Sequence, residues 1–361
     1  MTPLPSEYGP LVTELHRRSA KDRRPVSGTF ELTARCNLRC RMCYVRQPAA
    51  STQARTQELS AAHWLDLARA AVDHGTLFLL LTGGEVFLRP DFFEIYTPLT
   101  EMGLMLTLFT NGTLITGAVA DRLAEAPPSR TEITLYGATQ ETYEAVTGAP
   151  GSYARCLSGI DALADRGVPL SLKTTLTRQN VGELEAMRDL AHARGLPFSA
   201  AWLLTQRRDG EASEVGACRL SPEACVTLEA ADRASANELS ELALRDTGDR
   251  VPYIGDEANF YCQAGKAAFT VSPHGEMNAC LDLTQPAARP LVVGFSAAWE
   301  AVQHWVDSAP PMSPVCQSCD VRGFCPRCPA WSLLETSTMT EPVPYLCDIA
   351  RARADLYNRR G

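Results

Sequence analysis

The chain has 361 residues, enough for one large α/β domain and a smaller companion, and its 34 Lys and Arg against 42 Asp and Glu leave a formal net charge of -8. That acidic balance argues against a phosphate-backbone partner, so nucleic acid is not an expected substrate. The N-terminus lacks a charged then apolar export signal and no apolar run reaches the ~18 residues that cross a bilayer; a cytoplasmic protein with no membrane partner is expected, and its 13 cysteines read as metal ligands rather than disulfides.

Residues 1–27 read as a lead-in, whose most basic stretch, Arg17, Arg18, Lys21, Arg23 and Arg24, is a solvated segment or a dock for an acidic peptide. From 28 to about 203, short β-rich runs at 28–33, 77–82, 104–110, 132–136, 169–176 and 198–203 alternate with helical spacing at 60–74, 91–102, 117–126, 152–166 and 182–194. Repeated βα units of this kind surround a parallel sheet, and six of them make a partial (β/α)6 TIM-like barrel open on one side. Working residues of such barrels gather at the C-terminal ends of the strands.

Directly after the first strand, Cys36, Cys40 and Cys43 are separated by three and then two residues. That spacing can bring three thiolates onto one iron–sulfur cube whose fourth iron stays open to a small molecule; three buried thiols or an incomplete zinc site are the bland alternatives. Thr82-Gly-Gly-Glu85 follows the second strand, Thr110-Asn-Gly112 the third, Tyr136-Gly137 the fourth, and Lys173 lies within the fifth. Asn111-Gly-Thr113 matches a glycosylation sequon, a coincidence without a secretory signal.

Residues 205–260 form an acidic bridge with helical spacing at 222–244. Its Arg207 and Arg208 are solvated or grip a peptide carboxylate. From Cys262 to Cys347 seven cysteines fall among Pro and Gly: Cys262, Cys280, Cys316, Cys319, Cys325, Cys328 and Cys347. Weak periodicity there leaves metal to supply the cross-links. Paired CxxC units suit zinc as well as iron–sulfur. Cys156, Cys218 and Cys225 fall outside both patterns and read as inert buried thiols. No phosphate loop, HExxH pair or GxSxG elbow is present.

The cysteine loop, with the motifs at the other strand ends, resembles the radical S-adenosylmethionine (radical SAM) enzymes over roughly residues 28–203. The resemblance implies an enzyme with a [4Fe–4S] cluster on Cys36, Cys40 and Cys43 that binds SAM. It implies that Gly83, Gly84 and Glu85 contact the methionine amino group, that Lys173 binds the SAM carboxylate, and that Thr110, Asn111 and Thr134 contact ribose or methionine. Met42 departs from the aromatic or His usual at its place, and Tyr44 is the candidate cover for adenine. The C-terminal cysteines resemble a SPASM domain with two auxiliary [4Fe–4S] clusters, the outer on Cys316, Cys319, Cys325 and Cys347, the inner on Cys262, Cys280 and Cys328. Two residues before Cys328, where the family often has three, depart from that pattern. Seven thiolates serve eight positions, so the inner cluster is open to a substrate thiolate, or closed by water or by Glu276 or Asp282.

The expected layout is a lead-in at 1–27, a radical SAM partial barrel at 28–204, a bridge at 205–260, a SPASM auxiliary domain at 261–348 and a C-terminal helix at 349–361. The expected function is a radical SAM oxidoreductase that takes hydrogen from a ribosomally synthesised peptide and modifies it by crosslink, thioether or desaturation; Tyr136 to Tyr143 with Val146-Thr-Gly148 looks like the peptide-maturase branch. A one-electron reductant such as flavodoxin or ferredoxin is implied. The 27 residues before the first strand are too few for a leader-binding domain, which points to a separate leader-peptide-binding protein or to the barrel and bridge surface. Rivals are a sulfatase-type maturase, a small-molecule radical dehydrogenase and a non-catalytic electron carrier, the last disfavoured by Gly83, Gly84 and Glu85.

Overall fold

Six parallel strands follow one another across the sheet of the computed structural model, which describes residues 9–210, 214–232 and 260–358. They are β1 (Ser27–Thr33), β2 (Phe78–Gly83), β3 (Met105–Thr110), β4 (Arg130–Thr134), β5 (Leu170–Thr175) and β6 (Phe198–Ala201). Each lies within two residues of its expected start, because alternating apolar residues fix both the strand and the face it buries. Phe30, Leu81, Leu108, Ile133 and Leu172 are buried. The opposite, inner face carries Glu31, Phe109, Glu132, Lys173 and Ser199, with Phe109 opposite Glu132 and Lys173 opposite Ser199.

The helices between the strands are amphipathic and mostly capped. After α1 (Gly9–Lys21) in the lead-in come α2 (Ala61–Asp73), α3 (Phe92–Thr100), α4 (Gly117–Glu125), α5 (Gln140–Thr147), α6 (Ser152–Ala164), α7 (Leu184–His192) and α8 (Pro222–Ala231). Ser60, Thr116 and Thr139 accept hydrogen bonds from the backbone amides three residues on, which starts α2, α4 and α5. α5 was not among the expected helices, since its eight residues are too few for a clear period; Thr139 at one end and left-handed Gly148 at the other were its signals. The helical spacing at 222–244 is observed only as α8, and residues 233–244 lie outside the described residues. In the lead-in, Arg17 and Arg18 pair with Glu14, Arg24 with Asp22 and Arg23 with Asp307, so these charges are engaged within the chain.

The C-terminal segment departs most from expectation. β7 (Ala268–Val271) adds to the far side of β1 in parallel, and β8 (Met277–Asn278) pairs antiparallel with β7, so among the described residues the sheet has eight strands. Phe269, 1% exposed, lies opposite Gly28, where a Cβ would stand 2.7 Å from its ring. α9 (Phe295–Asp307) buries Phe295, Ala298, Trp299, Val302 and Val306 on one stripe, with Phe295 and Trp299 against that ring. Residues of α10 (Pro329–Thr336) and α11 (Pro344–Asn358) belong to the same core as the barrel. The cysteine-rich segment therefore has an apolar core after all, borrowed from the barrel, and metal is not its only cross-link. The terminal helix begins at Pro344 rather than 349, which places Cys347 in its first turn. Among the described residues no helix is long and apolar enough to cross a membrane.

Phe269→Ala should lower stability by about 3–5 kcal/mol, the usual cost of emptying a buried aromatic site. Chemical denaturation of the metal-free chain checks this; a change below about 1 kcal/mol would mean that β7 is not docked on β1 as described.

Candidate active site

The C-terminal ends of β1 to β4 meet at the cysteine loop. Gly84 N–H donates to the Thr33 carbonyl (2.7 Å) and Glu85 N–H to the Arg35 carbonyl (2.8 Å), so the backbone leading into Cys36 lies directly on the Gly-Gly-Glu turn. A Cβ on Gly83 or Gly84 would fall 2.2 Å from those same carbonyl oxygens, and Gly83 has φ +135°. These glycines are required by contact with the chain itself, before any ligand is considered.

Glu85 is 1% exposed, and its carboxylate accepts from Thr110 Oγ1 (2.8 Å), Asn111 N (2.8 Å) and Phe87 N (3.2 Å). Burial raises its pKa while these donors oppose the shift. Three donors occupy most of a carboxylate's four lone-pair sites, so any ammonium contact shares the group with a structural role. Asn111 Nδ2 donates to Asn37 Oδ1 (2.9 Å) and reaches Cys36 Sγ at 3.7 Å, while Asn37 Nδ2 donates to Thr113 Oγ1 (2.8 Å). Asn37 and Thr113 were not among the expected site residues; their only signal was adjacency to Cys36 and Asn111.

Cys36, Cys40 and Cys43 lie within electrostatic reach of one another, with Cys40 hydrogen-bonded to the phenol of Tyr136. Burial pushes all three thiols up, Cys36 to about 12, and only Cys43 has cations, Arg46 and Arg207, that oppose the shift; a bound metal would supply the positive charge that makes them thiolates. α5 braces the loop: Arg39 N–H donates to the Thr147 carbonyl (2.7 Å), and Val146 packs against Leu38, Cys40 and Met42. Met42 is thus a core residue, and the Val146-Thr-Gly148 motif acts as a support for the loop.

Lys173 stands apart from this group, on the inner face. Its ammonium is 3.1 Å from Glu132 Oε2 and 2.8 Å from the centroid of the Phe109 ring, with Thr134 its neighbour across the sheet. Burial lowers its pKa to about 8, against the opposing charge of Glu132. Glu132 could have been found two residues before Thr134 on the same face. Arg208, expected to be solvated or to grip a peptide carboxylate, is paired with fully buried Glu31 (Nη2 to Oε1, 2.9 Å) and donates to the Leu281 carbonyl (2.7 Å); Arg207 is held by Asp209 (3.0 Å). Tyr44 lies beneath Arg208 and lines a cavity of 400 Å³ with Gln47, Gln53, His274 and Asn278.

The C-terminal thiols fall into two neighbourhoods. Cys325 senses Cys347, Cys316 and Cys319, whereas Cys280 and Cys328 sense each other and Cys262. Of the acids offered for an eighth position, Asp282 lies beside Cys280 and Cys328 and accepts from Trp331 Nε1 (2.9 Å); Glu276 is paired to Arg289 (3.2 Å). Among the described residues no three His, Cys, Asp or Glu side chains converge as tightly as one metal ion requires. Cys156, Cys218 and Cys225 are buried, as expected of inert thiols.

A profile of the radical SAM superfamily matches residues 30–191. The mycofactocin maturase MftC of Mycobacterium ulcerans is 30% identical over 264 residues, 71% of this chain and 68% of that protein. The AdoMet-dependent heme synthase of Methanosarcina barkeri is 27% identical over 341 residues, 88% of this chain and 94% of that protein. Several other curated relatives are matched over only about half their own length. Among solved structures, Streptococcus suis SuiB bound to S-adenosylmethionine superposes with a TM-score of 0.67 at 15% identity, covering 93% of this chain and 81% of that one, a likeness of fold.

Two outcomes follow from this geometry. Glu85→Gln puts an amide NH2 among donors and should cost about 1–3 kcal/mol of stability as well as weakening SAM binding; denaturation and SAM titration read the two effects, and an unchanged SAM dissociation constant would remove Glu85 from the SAM site. If the Lys173 ammonium attracts the SAM carboxylate, affinity falls as pH rises through about 8, where that charge is lost, and Lys173→Met abolishes the slope. Equilibrium binding between pH 6.5 and 9.5, about the span needed to titrate such a group, checks the sign.

Proposed function

Because the chain belongs to the radical SAM superfamily, we propose that it oxidatively modifies a ribosomally made peptide, with Cys36, Cys40 and Cys43 as ligands of the SAM-binding [4Fe–4S] cluster. When bound, that cluster with SAM supplies a 5′-deoxyadenosyl radical able to take hydrogen from a substrate carbon. The observation that carries the reading is the joining of the three-thiol loop to Glu85, Asn111 and Tyr136 at the C-terminal rim of the strands. Buried thiols whose pKa burial raises, with no cation among the closest partners of Cys36 and Cys40 and only Arg46 and Arg207 near Cys43, fit a metal-bound group better than free nucleophiles. Lys173, Thr134 and Tyr44 are proposed to orient SAM on the inner face, where Glu132 keeps the lysine's charge local.

A peptide is favoured as substrate by the maturase among the relatives and by a SuiB structure bound to its precursor peptide SuiA. The amide-rich cavity beside Tyr44 offers matching neutral hydrogen-bond partners for a peptide chain. A tetrapyrrole is the second reading, since the heme synthase is matched over 94% of its length. Propionate side chains call for cations beyond Lys173, which this reading gives to the SAM carboxylate, and Arg208 is paired with Glu31 and donates to the Leu281 carbonyl. The two neighbourhoods of C-terminal thiols are proposed to hold auxiliary [4Fe–4S] clusters that accept the electron left by substrate oxidation. A cytoplasmic location, a flavodoxin or ferredoxin reductant and a separate leader-binding protein complete the proposal.

Anaerobically reconstituted protein should carry ~12 irons per chain, falling to ~8 in the Cys36→Ala, Cys40→Ala, Cys43→Ala triple variant, which should form no 5′-deoxyadenosine. Zinc at the C-terminal thiols by elemental analysis would defeat the auxiliary assignment. Peptides encoded beside the gene, and an iron tetrapyrrole, should be incubated with SAM and dithionite. Loss of two hydrogens from a peptide by mass spectrometry supports the first reading, and turnover of the tetrapyrrole alone overturns it.

A further inference from the structure

Arg327 stands between Cys325 and Cys328, one thiol from each C-terminal neighbourhood, and it is 5% exposed. Its Nη2 donates to the Met339 carbonyl (2.5 Å), but its Nε and Nη1 are buried with no hydrogen-bond partner. A buried, permanently charged guanidinium with donors unspent is costly unless an acceptor of opposite charge faces it. The surrounding groups say where that acceptor lies. Its own backbone N–H bonds to Cys325, and its charge reaches the phenol of Tyr261, which also senses Cys328, Cys262 and Cys325. No carboxylate pairs with Arg327 among the described residues, in contrast to Arg35, Arg89 and Arg219, each buried and each paired, and to half-buried Arg208 and Arg353, also paired. Thiolate-ligated iron–sulfur clusters are anionic, accept hydrogen bonds at sulfur, and shift in potential with nearby charge.

We propose that Arg327 donates to the sulfur of the auxiliary iron–sulfur centre beside it and sets that centre's reduction potential. Reduction adds one electron and hence one negative charge to the cluster, with no bond made or broken at Arg327. The cation stabilises the reduced form, so the centre becomes a better acceptor for an electron leaving a substrate. Arg327 acts here as a tuning residue and touches neither SAM nor substrate. The inference rests on the auxiliary-cluster reading of the C-terminal thiols.

The test is a potentiometric titration of the reconstituted full chain followed by electron paramagnetic resonance, with the Cys36, Cys40, Cys43→Ala variant used to assign the auxiliary signals. Arg327→Gln should keep its iron and move one auxiliary midpoint negative by at least a tenfold change in the redox equilibrium, about 59 mV for a one-electron couple. Arg327→Lys, which keeps the charge and loses the fork of donors, should fall between the two. An unmoved midpoint in Arg327→Gln with full iron overturns the proposal. If Arg327→Gln loses its iron, Arg327→Lys carries the test: an unmoved midpoint or lost auxiliary iron there overturns it, the latter marking Arg327 as a brace for the Met339 carbonyl. Wild-type protein holding only one cluster overturns the auxiliary reading beneath it, whereas three clusters with unmoved midpoints overturn only the role of Arg327.

Discussion

Two stretches of backbone, 33–35 and 83–85, lie against each other with no room for a side chain between them. The position of the cysteine loop depends on that contact. It is closed by two hydrogen bonds that extend the β1–β2 pairing past the end of the strands. From the same turn Glu85 reaches to the end of β3, and Asn111 there reaches back to Asn37 and Cys36. A ring of short polar contacts thus fixes three loops relative to one another. Buried ion pairs support it from below: Arg35 with Glu58, and Arg89 with Asp91 and two backbone carbonyls. Such groups are expensive to bury singly, and each here is satisfied by several partners.

The inner face of the sheet treats charge differently. Lys173 with Glu132, and Arg208 with Glu31, are ion pairs of the inner face rather than parts of the loop scaffold. A paired cation retains its place and can exchange or share its partner when an anion arrives, whereas an unpaired one would pay the full cost of desolvation. The lowered pKa of Lys173 is the mark of that cost. Arg208 also ties the inner face to the C-terminal segment through the Leu281 carbonyl, one residue from Cys280. The barrel and the second thiol group are therefore parts of one arrangement, which suits a reaction in which an electron leaves the substrate for a nearby centre.

The C-terminal segment is bound to the barrel by ordinary hydrophobic packing. Gly28 admits the ring of Phe269, and α9 covers that ring with Phe295 and Trp299. Trp299 Nε1 and Gln303 Nε2 both donate to the Arg23 carbonyl, so the lead-in is fastened by the same helix. Metal ligands can then be carried on short turns and helix ends, because the framework around them is already folded onto the sheet. In contrast to a small domain stapled by metal alone, this one has a frame shared with its neighbour.

The sequence by itself determined the six strands, the order of the motifs along them and the three-thiol loop, because period-two burial and cysteine spacing are local properties of the chain. The division of the seven C-terminal cysteines into four and three came from the resemblance to the SPASM domain, and the thiols nearest Cys325, Cys280 and Cys328 follow the same division. Only the tertiary structure decided what those residues face. Gly83 and Gly84 meet the cysteine loop, Lys173 is held by Glu132, Arg208 by Glu31, and β7 joins the sheet 235 residues after β1 ends. Each of these is a contact between positions far apart in the chain, and no periodicity within a window of a dozen residues carries information about them. Arg327 is the sharpest case: in sequence it is one arginine between two cysteines, and burial alone reveals that two of its donors have nothing in the protein to bond.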